Sequence, residues 1–174
     1  MIHFAEEKFS DIAGREALLD GVMGPVRFTK PSENLRAGRN PARGLALVAR
    51  DGADIVGTVR LWNVAADSKP ALLLGPLAVD PAAQGEGVGA NLMRLAIARA
   101  GMIGHKGIVL VGDPEYYARF GFTAELTGGL VMPAPVERRR FLGIELAAGG
   151  LAGISGAVVG TGTPAPASAE LLAA

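Results

Sequence analysis

Between an apolar strand pattern, Leu72 to Val79, and an amphipathic helix pattern, Val88 to Met102, the chain carries Gln84-Gly85-Glu86-Gly87-Val88-Gly89. A strand that empties through a glycine-rich turn into a helix builds an anion site at the junction. The first helical N–H groups lack intrahelical partners, the macrodipole gathers partial positive charge there, and glycine lets oxygen atoms approach the backbone. The pattern points to a phosphate-bearing ligand. It is not a P-loop, which needs Lys-Ser/Thr after its last glycine; here Ala90-Asn91 follow Gly89. Nor is it a dinucleotide fingerprint, because the glycines fall at 85, 87 and 89 and the strand over 107–111 runs out into Gly112-Asp113. From the loop alone, a glycine-rich turn that binds nothing stays open as the alternative.

Composition narrows the class. At 174 residues the chain is about one domain long and can bury a sizeable core. Hydrophobic residues make up 49% with few aromatics, so that core is aliphatic. Lys+Arg and Asp+Glu balance at 17 each, which gives no general attraction to nucleic acid or an acidic membrane. The absence of cysteine excludes disulfides, zinc-thiolate sites and a cysteine nucleophile. His3 and His105 are isolated, so no metal site is expected. The N-terminus lacks the pattern of a secretory signal, and the apolar stretch 142–159 is broken by Glu145 and five glycines, so a cytoplasmic protein without a membrane span is expected.

Along the chain, His3 to Glu6 reads as a first strand, and Asp11 as the cap of a helix through Ala13 to Asp20. Residues 26–43 carry five basic side chains and little pattern. Leu45 to Arg50 and Asp54 to Asn63 alternate as two strands around an Asp51-Gly52 turn, with Val56, Thr58, Arg60 and Trp62 on one face of the second. Strand 71–79, helix 88–102 and strand 107–111 form a β-α-β crossover. Residues 123–125 read as a strand, 140–146 as a final strong strand, and 149–159 as a hairpin-like segment. One domain is expected over 1–160, followed by a low-complexity, flexible tail over 161–174.

The segment Leu77 to Gly89 resembles the pyrophosphate loop of the GCN5-related N-acetyltransferases, Gln/Arg-x-x-Gly-x-Gly/Ala, with Gln84, Gly87 and Gly89 at its fixed positions. Downstream, Asp113-Pro114-Glu115-Tyr116-Tyr117-Ala118-Arg119-Phe120-Gly121-Phe122 is similar to the Tyr-x-x-x-Gly-Phe segment that closes the cofactor site in that family, with wording nearest its YhbS-like bacterial branch. Two motifs in the family's order are far more specific than either alone. The resemblance covers about residues 44–127 strongly and implies an α/β (α+β) fold, with a mixed central sheet, antiparallel N-terminal strands, and flanking helices.

The same resemblance implies acetyl-CoA as cosubstrate. The coenzyme's pyrophosphate would lie on the N–H groups of Gln84, Gly85, Glu86, Gly87, Val88, Gly89 and Ala90. Its pantetheine arm would run along Leu77, Ala78 and Val79, pairing with the backbone of Leu77 and Val79 where this strand splays from the next. Gly75-Pro76 is placed to position that strand. Tyr117, four residues before Gly121, would stand near the thioester sulfur as general acid; a phenol is protonated at neutral pH yet able to share its proton with a developing thiolate. A tyrosine on a short amphipathic helix is also a common core residue, and Tyr116 beside it is its structural twin. No general base is assigned. Asp113 reads as the cap of a helix starting at Pro114, Glu86 as solvent-facing, and His105 as a surface residue.

Arg27, Lys30, Arg36, Arg60 and Trp62 are candidates for an acceptor groove. Arg60 beside Trp62 would suit an anionic or apolar acceptor, against the plainer reading of a solvated arginine next to a half-buried ring. The expected function is transfer of acetyl from acetyl-CoA to a primary amine, on a small molecule or peptide, by direct attack in a ternary complex. A non-catalytic acyl-CoA-binding or sensing module of the same fold is the alternative. A homodimer is compatible with either.

Overall fold

Alternating apolar positions over residues 46–79 produce the antiparallel meander that the sequence predicts. In the computed structural model, which describes residues 1–166, β1 (Ile2–Glu6) pairs with β2 (Ala46–Asp51), β2 with β3 (Asp54–Ala66), and β3 with β4 (Lys69–Val79), all antiparallel. Two helices, α1 (Ile12–Met23) and α2 (Glu33–Arg36), lie between β1 and β2 in sequence. From β4 the chain crosses through α3 (Val88–Ile103) to a parallel neighbour, β5 (Gly107–Val111). After α4 (Pro114–Tyr117) come β6 (Leu130–Val131), β7 (Phe141–Glu145) antiparallel to β5, and β8 (Gly156–Gly160). The main path through the sheet is β1-β2-β3-β4-β5-β7, with β8 antiparallel on the second half of β3 and β6 parallel on β8.

Strand alternation sends Leu72 and Leu74 to one face and Leu73 to the other, and each face has its own core. On the first, α3 lays its stripe of Val88, Leu92, Met93, Ala96 and Ala100 against Leu47, Val59, Leu61 and Ile108. On the second, Trp62, Val64, Val109, Phe141 and Leu151 pack together. Each fully buried Leu or Met stabilises the fold by roughly 1.5–3 kcal/mol, so the aliphatic composition suffices to pin α3, and the loop before it, onto the sheet.

One irregularity positions the site. Val59 faces Leu77 and Leu61 faces Leu74, so Gly75 and Pro76 of β4 stand against Arg60 alone. Such a bulge bends its strand and breaks pairing locally. The Trp62 indole N–H donates to the Gly75 carbonyl at 2.6 Å and holds the bend. Beyond it β4 leaves β5, and only Leu72 and Leu73 pair with Ile108 and Val109.

Several expectations are corrected. Of residues 123–125 only Thr123 pairs as a strand residue, in a single antiparallel bridge to Gly143; its hydroxyl then accepts from the Glu125 N–H and starts a 3-10 turn over Ala124–Thr127. Asp11 does not cap α1 with its side chain; its carboxylate accepts from the Lys8 N–H and pairs with Arg50. Residues 149–159 do not fold as a hairpin, because β8 finds its partners in β3 and β6. The fold also continues past residue 160. Thr161 donates to Asn63, Asn40 to the Thr163 carbonyl, and Ala165 to Gly38, since those backbone groups need partners and segment 38–40 supplies them. The rest of the expected tail, 167–174, lies outside the described residues. No helix among the described residues is long and apolar enough to cross a membrane.

Candidate active site

The glycine-rich loop is open, and past Gln84 its amides have no backbone acceptor among the described residues. Residues 84–87 are exposed, and Gly85 and Gly87 hold φ of 87° and 77°, a region that disfavours side chains with a Cβ. The Asp80 carboxylate accepts from the Ala82 N–H and pins the entry to the loop. Gln84 gives its N–H to the Pro81 carbonyl at 3.3 Å, so this amide is not free, contrary to the expectation that it would serve an anion. The first amide engaged within α3 is that of Asn91, on the Gly87 carbonyl. No backbone hydrogen bond among the described residues takes up the N–H groups of Gly85 through Ala90.

A cleft with about 980 Å³ of empty space runs over this loop, lined by Leu77, Ala78, Val79, Gln84, Gly85, Gly87, Val88, Gly89 and Ala90. Of the residues expected there, only Glu86 stays off the wall; its carboxylate would repel a phosphate and is exposed. The sequence reading missed four wall residues: Val22, Ala83, Tyr116 and Arg119. Tyr116 and Arg119 share a helical face at i, i+3, a readable signal, and the Arg119 guanidinium lies 4.5 Å from the Tyr116 ring centroid. Nothing local marks Val22, which arrives from the last turn of α1.

The space continues between the splayed strands. A second cleft, with about 910 Å³ of empty space, shares Leu77 and Tyr116 with the first and is lined also by Leu74, Gly75, Pro76, Gly112, Tyr117 and Arg140. The Asp80 N–H donates to Val56 on β3. By strand alternation the polar backbone of Ala78 then faces β3, while that of Leu77 and Val79 faces this gap.

The Asp113 carboxylate accepts from the Glu115 N–H at 3.2 Å and starts α4, as its sequence position predicts. The two tyrosines that follow meet edge to face, ring centroids 4.9 Å apart. A Cβ built on Gly89 would lie 3.0 Å from the Tyr116 hydroxyl, so that hydroxyl rests against the anion loop. Tyr117 packs its ring over Gly112, and burial, with the nearby Tyr116 and Asp113, pushes its hydroxyl up to about 12. His105 lines neither cleft; it is half-buried, and burial holds its imidazole below the usual value.

A third cleft, with about 630 Å³ of empty space, adjoins the gap across Pro76 and Arg36. It gathers Arg27, Arg36, Arg60 and Trp62, while Lys30 lines the gap. Arg60 is not solvated: Nε donates to Glu7 at 2.9 Å, its Nη2 pairs with the other carboxylate oxygen, and its side chain is 14% exposed. Arg15 pairs with Glu7 at 3.3 Å and Glu16 at 2.7 Å, and Arg27 pairs with Glu16 and Asp20. Burial alone would raise the Glu16 carboxyl, but its bond from Arg27 and the charges of Arg15 and Arg27 outweigh it and leave the group below the usual range. Glu16 is therefore ionised at neutral pH and a weak proton acceptor.

Comparison with known proteins places these features in a lineage. The model of the acetyltransferase (GNAT) domain matches residues 42–124. The uncharacterized N-acetyltransferase YhbS of Escherichia coli is 31% identical over 117 residues, 66% of this chain and 70% of the relative. YjhQ, an uncharacterized N-acetyltransferase of Escherichia coli K12, is 35% identical over 95 residues, and the match spans 52% of each protein. The crystal structure of E. coli YhbS in complex with CoA superposes with a TM-score of 0.76 at 27% identity, covering 92% of this chain and 89% of that one. A GNAT family acetyltransferase from Brucella melitensis, in complex with acetyl-CoA, gives a TM-score of 0.64 at 27% identity over 98% of both chains.

Proposed function

Because the chain belongs to the GNAT acetyltransferase family, we propose that it moves an acetyl group from acetyl-CoA to a primary amine by direct attack in a ternary complex. The observation that carries this reading is the parting of β4 from β5, which opens onto free amides at the start of α3. Diphosphate oxygens suit the N–H groups of Gly85 through Ala90. An extended amide-bearing arm suits the inward-facing backbone of Leu77 and Val79, by the hydrogen bonding that adds a strand to a sheet edge.

The reaction needs an amine lone pair at the thioester carbonyl and a proton for the departing thiolate. As nitrogen bonds to carbon the C–S bond breaks, and the Tyr117 hydroxyl, protonated at neutral pH, gives its proton to sulfur. Solvent takes the proton from the amine; Asp113, which lines the gap, is engaged by the Glu115 N–H as the cap of α4. With no cysteine in the chain, direct attack is the simpler route.

Two measurements test the reading. Calorimetric titration with acetyl-CoA should give saturable one-to-one binding. Turnover against a panel of primary amines, followed by free-thiol release, should give rates well above those without an amine. Binding without amine-dependent thiol release would make the protein a sensor, and absence of binding would end the acyl-transfer account.

A further inference from the structure

Resting on the acyl-transfer reading, we propose that the acceptor amine also carries an oxyanion, a carboxylate or a phosphate, and that Arg36 recognises it. Arg36 stands at the joint between the strand gap and the third cleft and lines both. Its side chain is only 8% exposed. Nε donates to Glu33 at 2.8 Å and Nη1 reaches Ser32 Oγ at 3.4 Å; no hydrogen bond among the described residues takes up Nη2. A planar guanidinium held on one side and left with donors on the other is shaped for a two-oxygen anion.

The surrounding charge has the same sense. Arg15, Arg27 and Arg60 are neutralised by Glu7, Glu16 and Asp20, Arg36 itself is paired through Nε with Glu33, and Asp113 and Arg140 both line the gap. Lys30 lines the gap and Arg39 the third cleft, and neither belongs to an ion pair among the described residues. A chain with equal numbers of acidic and basic residues thus concentrates positive charge beside the reacting centre. A neutral acceptor would leave Nη2 to water in the cleft, while an oxyanion would give it a charge-assisted partner where the rest of the side chain is buried. The charge belongs on the acceptor rather than on the coenzyme's phosphates, because none of residues 84–90 lines the third cleft, whose walls come from α1, the turn over 25–29, α2 with the segment 37–39 after it, β3, and Pro76 of β4.

The test uses the full chain, acetyl-CoA, and primary amines in matched pairs: carboxylate against carboxamide, and phosphate monoester against free alcohol. The anionic member of at least one pair should show kcat/KM about tenfold higher or more, mainly through KM; the discriminating pair identifies the group. Arg36→Gln should collapse that ratio toward one while acetyl-CoA affinity changes less than about threefold. Should Arg36→Gln fail to fold, Arg36→Lys, which keeps the charge but loses the fork, should retain only part of the ratio, and the wild-type pairs decide regardless. Equal or better use of the neutral members overturns the proposal. So does preference for succinyl-CoA over acetyl-CoA without discrimination among acceptors, which would put the anion on the acyl group. Thiol release without charge discrimination sinks this inference alone; no thiol release with any amine sinks the acyl-transfer reading as well.

Discussion

Tyr117 holds its proton because its surroundings disfavour the phenolate: the ring is largely buried, and the Asp113 carboxylate lies nearby. Kept protonated at neutral pH, the hydroxyl can donate a hydrogen bond to the developing thiolate, although burial makes it a weaker acid than an ordinary phenol. Tyr117→Phe should therefore lower turnover by about 10²-fold or more while acetyl-CoA affinity, measured by calorimetry, moves little. Tyr116→Phe should do the reverse, since that hydroxyl rests on the anion loop. Unchanged turnover in Tyr117→Phe would remove it from the proton path. The raised value also has a stability consequence. In the unfolded chain the phenol ionises near its ordinary value of about 10, whereas in the fold it stays protonated to about 12. The unfolded state then binds fewer protons between these values, so stability is intact below the lower one and falls as pH climbs through the window. Denaturant midpoints at about pH 9 and about pH 11 should fall further in the wild type than in Tyr117→Phe; parallel losses would mean that the hydroxyl is solvated.

At the scale of elements, the site depends on a defect in β4. Gly75 and Pro76 crowd opposite Arg60, and the Trp62 indole clasps the Gly75 carbonyl. Trp62→Phe keeps an aromatic ring but leaves that carbonyl without its donor, which should cost about 1–3 kcal/mol in chemical denaturation. Because the bend sets the width of the strand gap, acetyl-CoA should bind more weakly as well, which calorimetry on the folded variant would read. A loss of stability with cofactor affinity intact would show that the bulge holds its shape without the indole. The sequence made the strands and the loop legible, because period-2 alternation and a glycine run before a helix are local signals. The bulge was visible only as an odd Gly-Pro pair, since its cause is an indole 13 residues away. The strand expected over 123–125 stops after one bridge for a related reason: Thr123 pairs with Gly143, but its hydroxyl takes the Glu125 N–H and turns the chain.

Across the whole molecule, the hardest residues to read were the charged ones. Arg27 and Arg36 stood in an unpatterned basic stretch as candidates for an acceptor groove, yet both are buried and paired, Arg27 with Glu16 and Asp20 of α1 and Arg36 with Glu33 of its own helix. The pairing of Arg60 with Glu7 spans 53 residues, a distance over which periodicity says nothing. The same long-range closure applies at the other end of the chain. Residues 161–165 strap segment 38–40 through Asn40 to Thr163 and Ala165 to Gly38, and Arg39 Nη1 donates to the Gly162 carbonyl at 2.9 Å. Arg39 lines the third cleft, so the strap holds one wall of the space assigned to the acceptor. Ending the chain at Gly160 removes these bonds together and leaves their backbone partners to water, a loss of about 1–3 kcal/mol in thermal or chemical unfolding. The acceptor KM should rise at least about threefold as Arg39 loses its anchor, a modest fraction of one charge-assisted bond, with acetyl-CoA affinity unchanged because the strap touches neither β4 nor the anion loop. Intact stability and intact KM after this truncation would show that segment 38–40 keeps its place through α2 and β3 alone.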